Sequence, residues 1–254
     1  MEDETVRDED MQKPLLGRRP DHGDTKPLPL RTGIEIVLVL GISIPFLVMS
    51  HRIGGTEVIG GILGWVGIIV GIIAVFIALK LRGQSAAVIG IIRAPGWPRT
   101  LLLGIAATVG VLLIAQLAQN LVFIPLLDLP PPDISRFEML EGNLGALLIG
   151  LFAVWTAAAF GEEIIYRGYL LGRLAELFGG ERRAWAISLV LGSTLFGLLH
   201  FYQGIGGIVI TGFVGFLFGL VYLLVKRNLW VTIIAHGLID TISFIALYFG
   251  MVGQ

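Results

Sequence analysis

Seven apolar stretches, each near the length that crosses a bilayer, dominate this chain of 254 residues. They fall at roughly 34–50, 58–79, 101–124, 144–161, 184–201, 205–225 and 229–251, and a helix needs about 20 apolar residues to span the hydrocarbon. Each reads as a transmembrane helix. The first and fourth are short as drawn and are expected to extend into their flanks. An eighth span arises if one long run is broken, and Gly237 is the candidate break point. The expected fold class is all-α: a polytopic transmembrane helix bundle of seven to eight spans with a buried polar cavity.

Composition agrees. Charged residues make up 15% of the chain, against about 25% in soluble domains, and they concentrate outside the apolar runs. The mean hydropathy is +0.85. A formal net charge of -1 singles out no partner, and no nucleic-acid partner is expected beside the lipid bilayer. The absence of cysteine excludes a disulfide, an iron–sulfur site and a thiolate zinc site. The 35 glycines fit close helix–helix approach in lipid, or simply the higher glycine frequency of transmembrane helices.

Residues 1–33 read as a disordered polar tail: charged in both signs, proline-containing, and unlike a secretory signal. Residues 34–143 hold the first helices and 144–254 the segment that carries the chemistry. Lysines and arginines near the span ends set orientation. Lys80, Arg82, Arg93 and Arg99 lie between spans two and three, Arg173, Arg182 and Arg183 between four and five, and Lys226 and Arg227 between six and seven. These loops share one side in a zigzag. The loop 125–143 falls on the other side, with Asp128, Asp133, Glu138 and Glu141 against Arg136. The N-terminus and the basic loops are therefore expected to be cytoplasmic, in a multi-pass protein of a plasma (inner) membrane. The short loop 202–206 predicts a tight hairpin of spans five and six.

Three polar blocks interrupt the second half: Glu162-Glu163-Ile164-Ile165-Tyr166-Arg167, Phe196-Gly197-Leu198-Leu199-His200, and His236-Gly237-Leu238-Ile239-Asp240. An ionisable residue inside a membrane is a functional-site hypothesis by default. Glu163 and Arg167, four apart with the acid first, suit a helical ion pair. Glu162 lies about 100° around an α-helix from Glu163 and is free to face a cavity, where a carboxylate can take a proton from water as general base. The competing reading puts this block at a membrane-surface helix end. Phe196 and His200 share a helical face, so the phenyl ring can wall the imidazole; the alternative is a histidine at a helix end reaching the interface. His236 and Asp240 also share a face. The carboxylate can orient the imidazole, the two can bind a metal together, or they can form a polar helix–helix contact. The pair is not the His-Glu-x-x-His zinc pattern.

Taken together, three polar clusters on separate spans would satisfy one another best at one site, because lipid offers no hydrogen bonds. That site would contain Glu162, Glu163, Arg167, His200, His236 and Asp240. Straight, simple spans would put Glu162 and His200 near opposite faces. Convergence requires a fourth helix longer than its apolar run, continuing to about Phe178, or a fifth that ends within the membrane.

The ordered motifs Glu-Glu-x-x-x-Arg, Phe-x-x-x-His and His-x-x-x-Asp resemble the signature of the CAAX prenyl protease and bacteriocin-processing (CPBP, or Abi) family, over roughly residues 145–245. The resemblance implies an intramembrane endopeptidase of about eight spans, acting on a membrane-associated, CAAX-type prenylated or other peptide substrate. It implies that Glu162 and His200 activate the attacking water, with Glu163 and Arg167 as support and Phe196 beside them. It puts His236 and Asp240 on the oxyanion-stabilising side. Many members carry Asn where this chain has Asp240, and an ionised aspartate cannot donate to an oxyanion, so Asp240 is expected to orient His236 or to be protonated. The family has been described with and without a metal; the metal-free reading is favoured here and zinc is left open. Two rivals stand beside this. One is a catalytically idle scaffold or regulator whose cluster glues helices together. The other is a transporter with an acid relay, which lacks the paired broken helices and inverted repeat expected of one.

Overall fold

The computed structural model describes residues 29–52, 57–92, 94 and 96–251. Among these residues there is no strand. Seven long helical elements follow one another: α1 (Pro29–Arg52), α2 (Glu57–Leu81), α3 (Trp97–Leu127), α4 (Leu144–Leu177), α5 (Arg182–Leu198), α6 (Gly204–Leu224) and α7 (Leu229–Tyr248). All but α5 are long and apolar enough to cross a membrane. The fifth expected span is shorter, at 17 residues, and opens on Arg182-Arg183. By length and composition six candidate spans stand among the described residues, one fewer than the seven clear runs, because α5 has only 17 residues. The proposed break at Gly237 is absent, because α7 runs through it unbroken. The first helix also starts earlier than the expected 34, at Pro29, where proline's fixed φ suits a first helical turn. The rest of the expected tail lies outside the described residues.

Local chemistry sets the helix ends. Asn143 caps α4 by accepting the Ala146 N–H at 3.1 Å, and Asn228 caps α7 by accepting the Trp230 N–H at 3.2 Å. Each satisfies one of the four orphan donors of a helix N-terminus. Pro98 occupies the first turn of α3. Gly250, at φ 64°, closes α7 in a left-handed turn, with its N–H on Leu247 O and that of Met251 on Ala246 O, a cap that glycine adopts without a Cβ penalty.

The longest element, α4, spans 34 residues and positions the site. It packs between α2 and α7. Its central 17 residues, Val154–Leu170, are wound as a π-helix between two α-helical ends. The core gathers around it: Ile164, Ile165, Tyr169 and Leu170 meet Val75 and Leu79 of α2 and Leu229 of α7. Outward faces carry Leu102, Leu148, Ile149 and Phe152, all more than half exposed. An apolar surface of that extent suits lipid rather than water. Helices α5 and α6 form the expected hairpin through a 3-10 turn, Phe201–Gln203.

Candidate active site

Glu163 is the centre of the polar cluster and is fully buried. Its Oε1 meets Arg167 Nη1 at 2.9 Å, the expected i,i+4 pair, and also His236 Nδ1 at 3.0 Å. The guanidinium donates from Nη2 to the carbonyl of Gly215 at 3.3 Å. It lies 4.3 Å from the Phe196 ring centroid and 5.3 Å from that of Phe218. One carboxylate therefore joins α4 to α7, and its arginine joins α4 to α5 and α6. Two charges this deep are tolerable only as a pair with further hydrogen bonds; Oε1 of Glu163 and Nη2 of Arg167 have them, while the buried Oε2 has no hydrogen-bond partner among the described residues.

The winding matters here. A π-helix closes i→i+5 hydrogen bonds and is usually a single-turn feature, often at functional sites. In this chain it extends across both glutamates and Arg167. The α-helical angle expected between Glu162 and Glu163 therefore does not apply. Glu162 is half-buried and makes no direct hydrogen bond or ion pair to a described residue. His236, Asp240 and Arg167 all lie within its electrostatic range.

On α7, His236 and Asp240 share a face as expected, with Nε2 to Oδ2 at 3.5 Å. Both imidazole nitrogens thus face carboxylates, Glu163 on one side and Asp240 on the other. Phe218 stacks on the ring at 5.1 Å and 25°. Gly237 is a contact point instead of a kink: a Cβ there would come within 2.6 Å of the Trp155 ring on α4. Trp155 is itself held through its indole N–H to Thr241 at 3.2 Å.

His200 sits just past the end of α5, ahead of the 3-10 turn. Its Nδ1 is 2.8 Å from the carbonyl of Phe196. A carbonyl only accepts, so Nδ1 carries the hydrogen and Nε2 of the neutral ring keeps its lone pair. Phe196 walls the imidazole as expected, at 4.8 Å between centroids, and Tyr202 flanks it at 5.8 Å. α4 is longer than its apolar run, as the expected convergence requires, but no direct contact joins Glu162 to His200. Measured from the turn that joins α4 to α5, Glu162 lies about 20 Å back along α4 and His200 about 27 Å along α5, at ~1.5 Å or less per residue. Both fall inside the bundle, and the electrostatic range of His200 includes His236 and Arg167.

A second polar network escaped the sequence reading. Of Arg82 and Arg173, expected as loop cations, Arg173 is buried and the Arg82 side chain is largely covered. Arg82 pairs with Glu35 of α1 and, at 2.6 Å, with Glu176 of α4. Arg173 meets Glu35 at 3.1 Å and Glu176 at 2.9 Å. Tyr169 donates to Glu35 at 2.9 Å. The network ties the end of α4 to α1 and α2. Also missed were Phe218, Trp155 and Tyr202, which no motif spacing marks.

Among the described residues, no three His, Asp or Glu side chains are grouped to hold a metal ion. Glu163, His236 and Asp240 are engaged with one another or with Arg167, whereas Glu162 and His200 Nε2 are not.

Residues 144–242 match the family model described as type II CAAX prenyl endopeptidase Rce1-like. The match contains all three polar blocks. No curated protein and no solved structure matches the chain.

Proposed function

Taking residues 144–242 as an Rce1-like domain, we propose that this protein is an intramembrane endopeptidase. It hydrolyses a peptide bond of a membrane-associated protein or peptide, with CAAX-type prenylated chains as the first class to test. One observation carries the reading. Glu163 is consumed by Arg167 and His236, whereas Glu162 beside it is left without a direct partner and His200 keeps an unprotonated Nε2. A structural cluster needs only the first arrangement; hydrolysis needs the second.

In this reading a water held by His200 Nε2 loses a proton to Glu162 as it attacks the scissile carbonyl. His236 is held at Nδ1 by Glu163; in this reading its Nε2–H, which lies 3.5 Å from Asp240, turns from that carboxylate to the oxygen on which negative charge develops. Asp240 orients His236 and does not donate. Glu162 then returns its proton to the leaving amine. Arg167 and Glu163 hold α4 and α7 in register. The chemistry is proposed without a metal, and removal of zinc by a chelator decides between this and a metal-assisted route. The same reading takes the N-terminus as cytoplasmic, on the charge of the basic loops, and the membrane as a plasma membrane.

The test is cleavage of quenched peptides, farnesylated and unprenylated, by protein purified in detergent. Wild type is expected to cleave, and Glu162→Ala and His200→Ala to be inactive at nearly unchanged folded levels. Wild-type-like cleavage by either variant would sink the assignment. If alanine at Glu162 instead lowered stability and abundance without a separate catalytic loss, the scaffold reading would replace it.

A further inference from the structure

We infer that Tyr202, held by Arg136, is a positioning residue for His200 and couples the loop between α3 and α4 to the site. The inference rests on the reading of His200 as the residue that holds the water.

The loop is built onto the bundle. The backbone N–H of Asp133 donates to Gln203 O at 2.9 Å, and that of Gly142 to Tyr248 O at 3.0 Å. The first bond joins the loop to the α5–α6 turn and the second to the end of α7. The Pro130 carbonyl lies so near Gly206 that any Cβ there would collide with it. Between these anchors the Asp133 side chain accepts the Ser135 N–H at 2.9 Å and starts the short 3-10 turn Ser135–Leu140.

That turn sets the Arg136 guanidinium 4.7 Å from the Tyr202 ring centroid. Such a cation–π contact stabilises by about 0.5–1 kcal/mol when exposed and more when desolvated. Tyr202 in turn lies against His200, with 33° between the ring planes. Gln203 donates to the Tyr202 hydroxyl at 3.1 Å and accepts from Thr211 of α6 at 3.4 Å, so the phenol is held at its far end as well.

His200 needs this support. It lies beyond the last helical turn of α5, where backbone constraint ends. The Phe196 carbonyl fixes its Nδ1, but one hydrogen bond leaves the ring free to tilt about that bond. Phe196 and Tyr202 remove that freedom. The direction of Nε2 thus depends on an aromatic side chain that a loop arginine holds. Pre-orientation of this kind acts on the chemical step, because a small misplacement of a reacting group is costly in rate.

The experiment uses the full chain in nanodiscs with nitrogen-15 histidine, the His200 signal being assigned by its loss in His200→Gln. In wild type the His200 signal is expected to be a single sharp one from an Nδ1-protonated ring. Tyr202→Phe and Arg136→Lys should retain it. Tyr202→Leu and Arg136→Ala should shift or exchange-broaden it while leaving the His236 signal in place, which controls for folding. An unchanged His200 signal in Tyr202→Leu overturns the inference, whether or not the protein cleaves anything. In cleavage assays Tyr202→Leu should lower kcat about tenfold at unchanged KM, with Tyr202→Phe near wild type. A purified wild type without activity refutes the proposed function and leaves the NMR result to decide the positioning role.

Discussion

Glu163 and His236, far apart in sequence, share a 3.0 Å contact at the centre of the bundle, and Arg167 closes on the same carboxylate oxygen. The two adjacent glutamates therefore have different surroundings. One is spent on holding helices together and the other has no direct partner.

That difference predicts opposite phenotypes. Glu163→Gln leaves Arg167 buried without its counter-charge, a loss of about 3–5 kcal/mol for a broken buried pair. Thermal unfolding in detergent should show it as a clear fall in midpoint. Glu162→Gln should leave the midpoint within a degree or two of wild type while cleavage falls by about 10²-fold or more, the range for a lost general base. Equal destabilisation by both would remove the distinction.

Gly237 should tolerate no side chain. In Gly237→Ala the new methyl meets the Trp155 ring, and overpacking of this kind costs about 1–3 kcal/mol. Combining it with Trp155→Leu should recover part of the loss, which a thermal-shift double-mutant cycle would read as coupling.

The network of Glu35, Arg82, Arg173 and Glu176 is expected to act on stability rather than chemistry. Arg82→Ala strands Glu35 and Glu176 beside a single arginine and should lower the unfolding midpoint with KM unchanged. Arg82→Lys should restore little, because one ammonium cannot reproduce the spread of a guanidinium that meets Glu35, Glu176 and Thr32. A large KM change would instead place this end of α4 in substrate binding.

A strong zinc chelator should leave the initial cleavage rate of purified wild type unchanged. Loss of activity on chelation, restored by added zinc, would overturn the metal-free reading and require the donors around Glu163 to rearrange.

Much of this protein was legible in one dimension. The apolar runs are long, and lipid leaves a spanning chain few choices besides helix, so the all-helical class followed directly. The i,i+4 pairs of Glu163 with Arg167 and of His236 with Asp240 were visible because helical geometry is local. So was the Phe196 wall beside His200. The span count was less legible, since α5 mixes an apolar stretch with an opening pair of arginines and ends at 17 residues.

What the sequence by itself determined was the set of polar residues, their helices, and the need for them to meet. Tertiary structure decided how they meet. It gave Glu163 to His236, left Glu162 without a direct partner, set Phe218 and Tyr202 against the two imidazoles, and drew Arg82 and Arg173 inside. The π-winding of α4 was invisible because its polar residues, Glu162, Glu163 and Arg167, are too few and too close together to distinguish a wider turn from an α-helical one. Contacts within a helix are fixed by the rise and twist of one chain. Contacts between helices depend on which faces pack, and in this bundle only the folded arrangement specifies them.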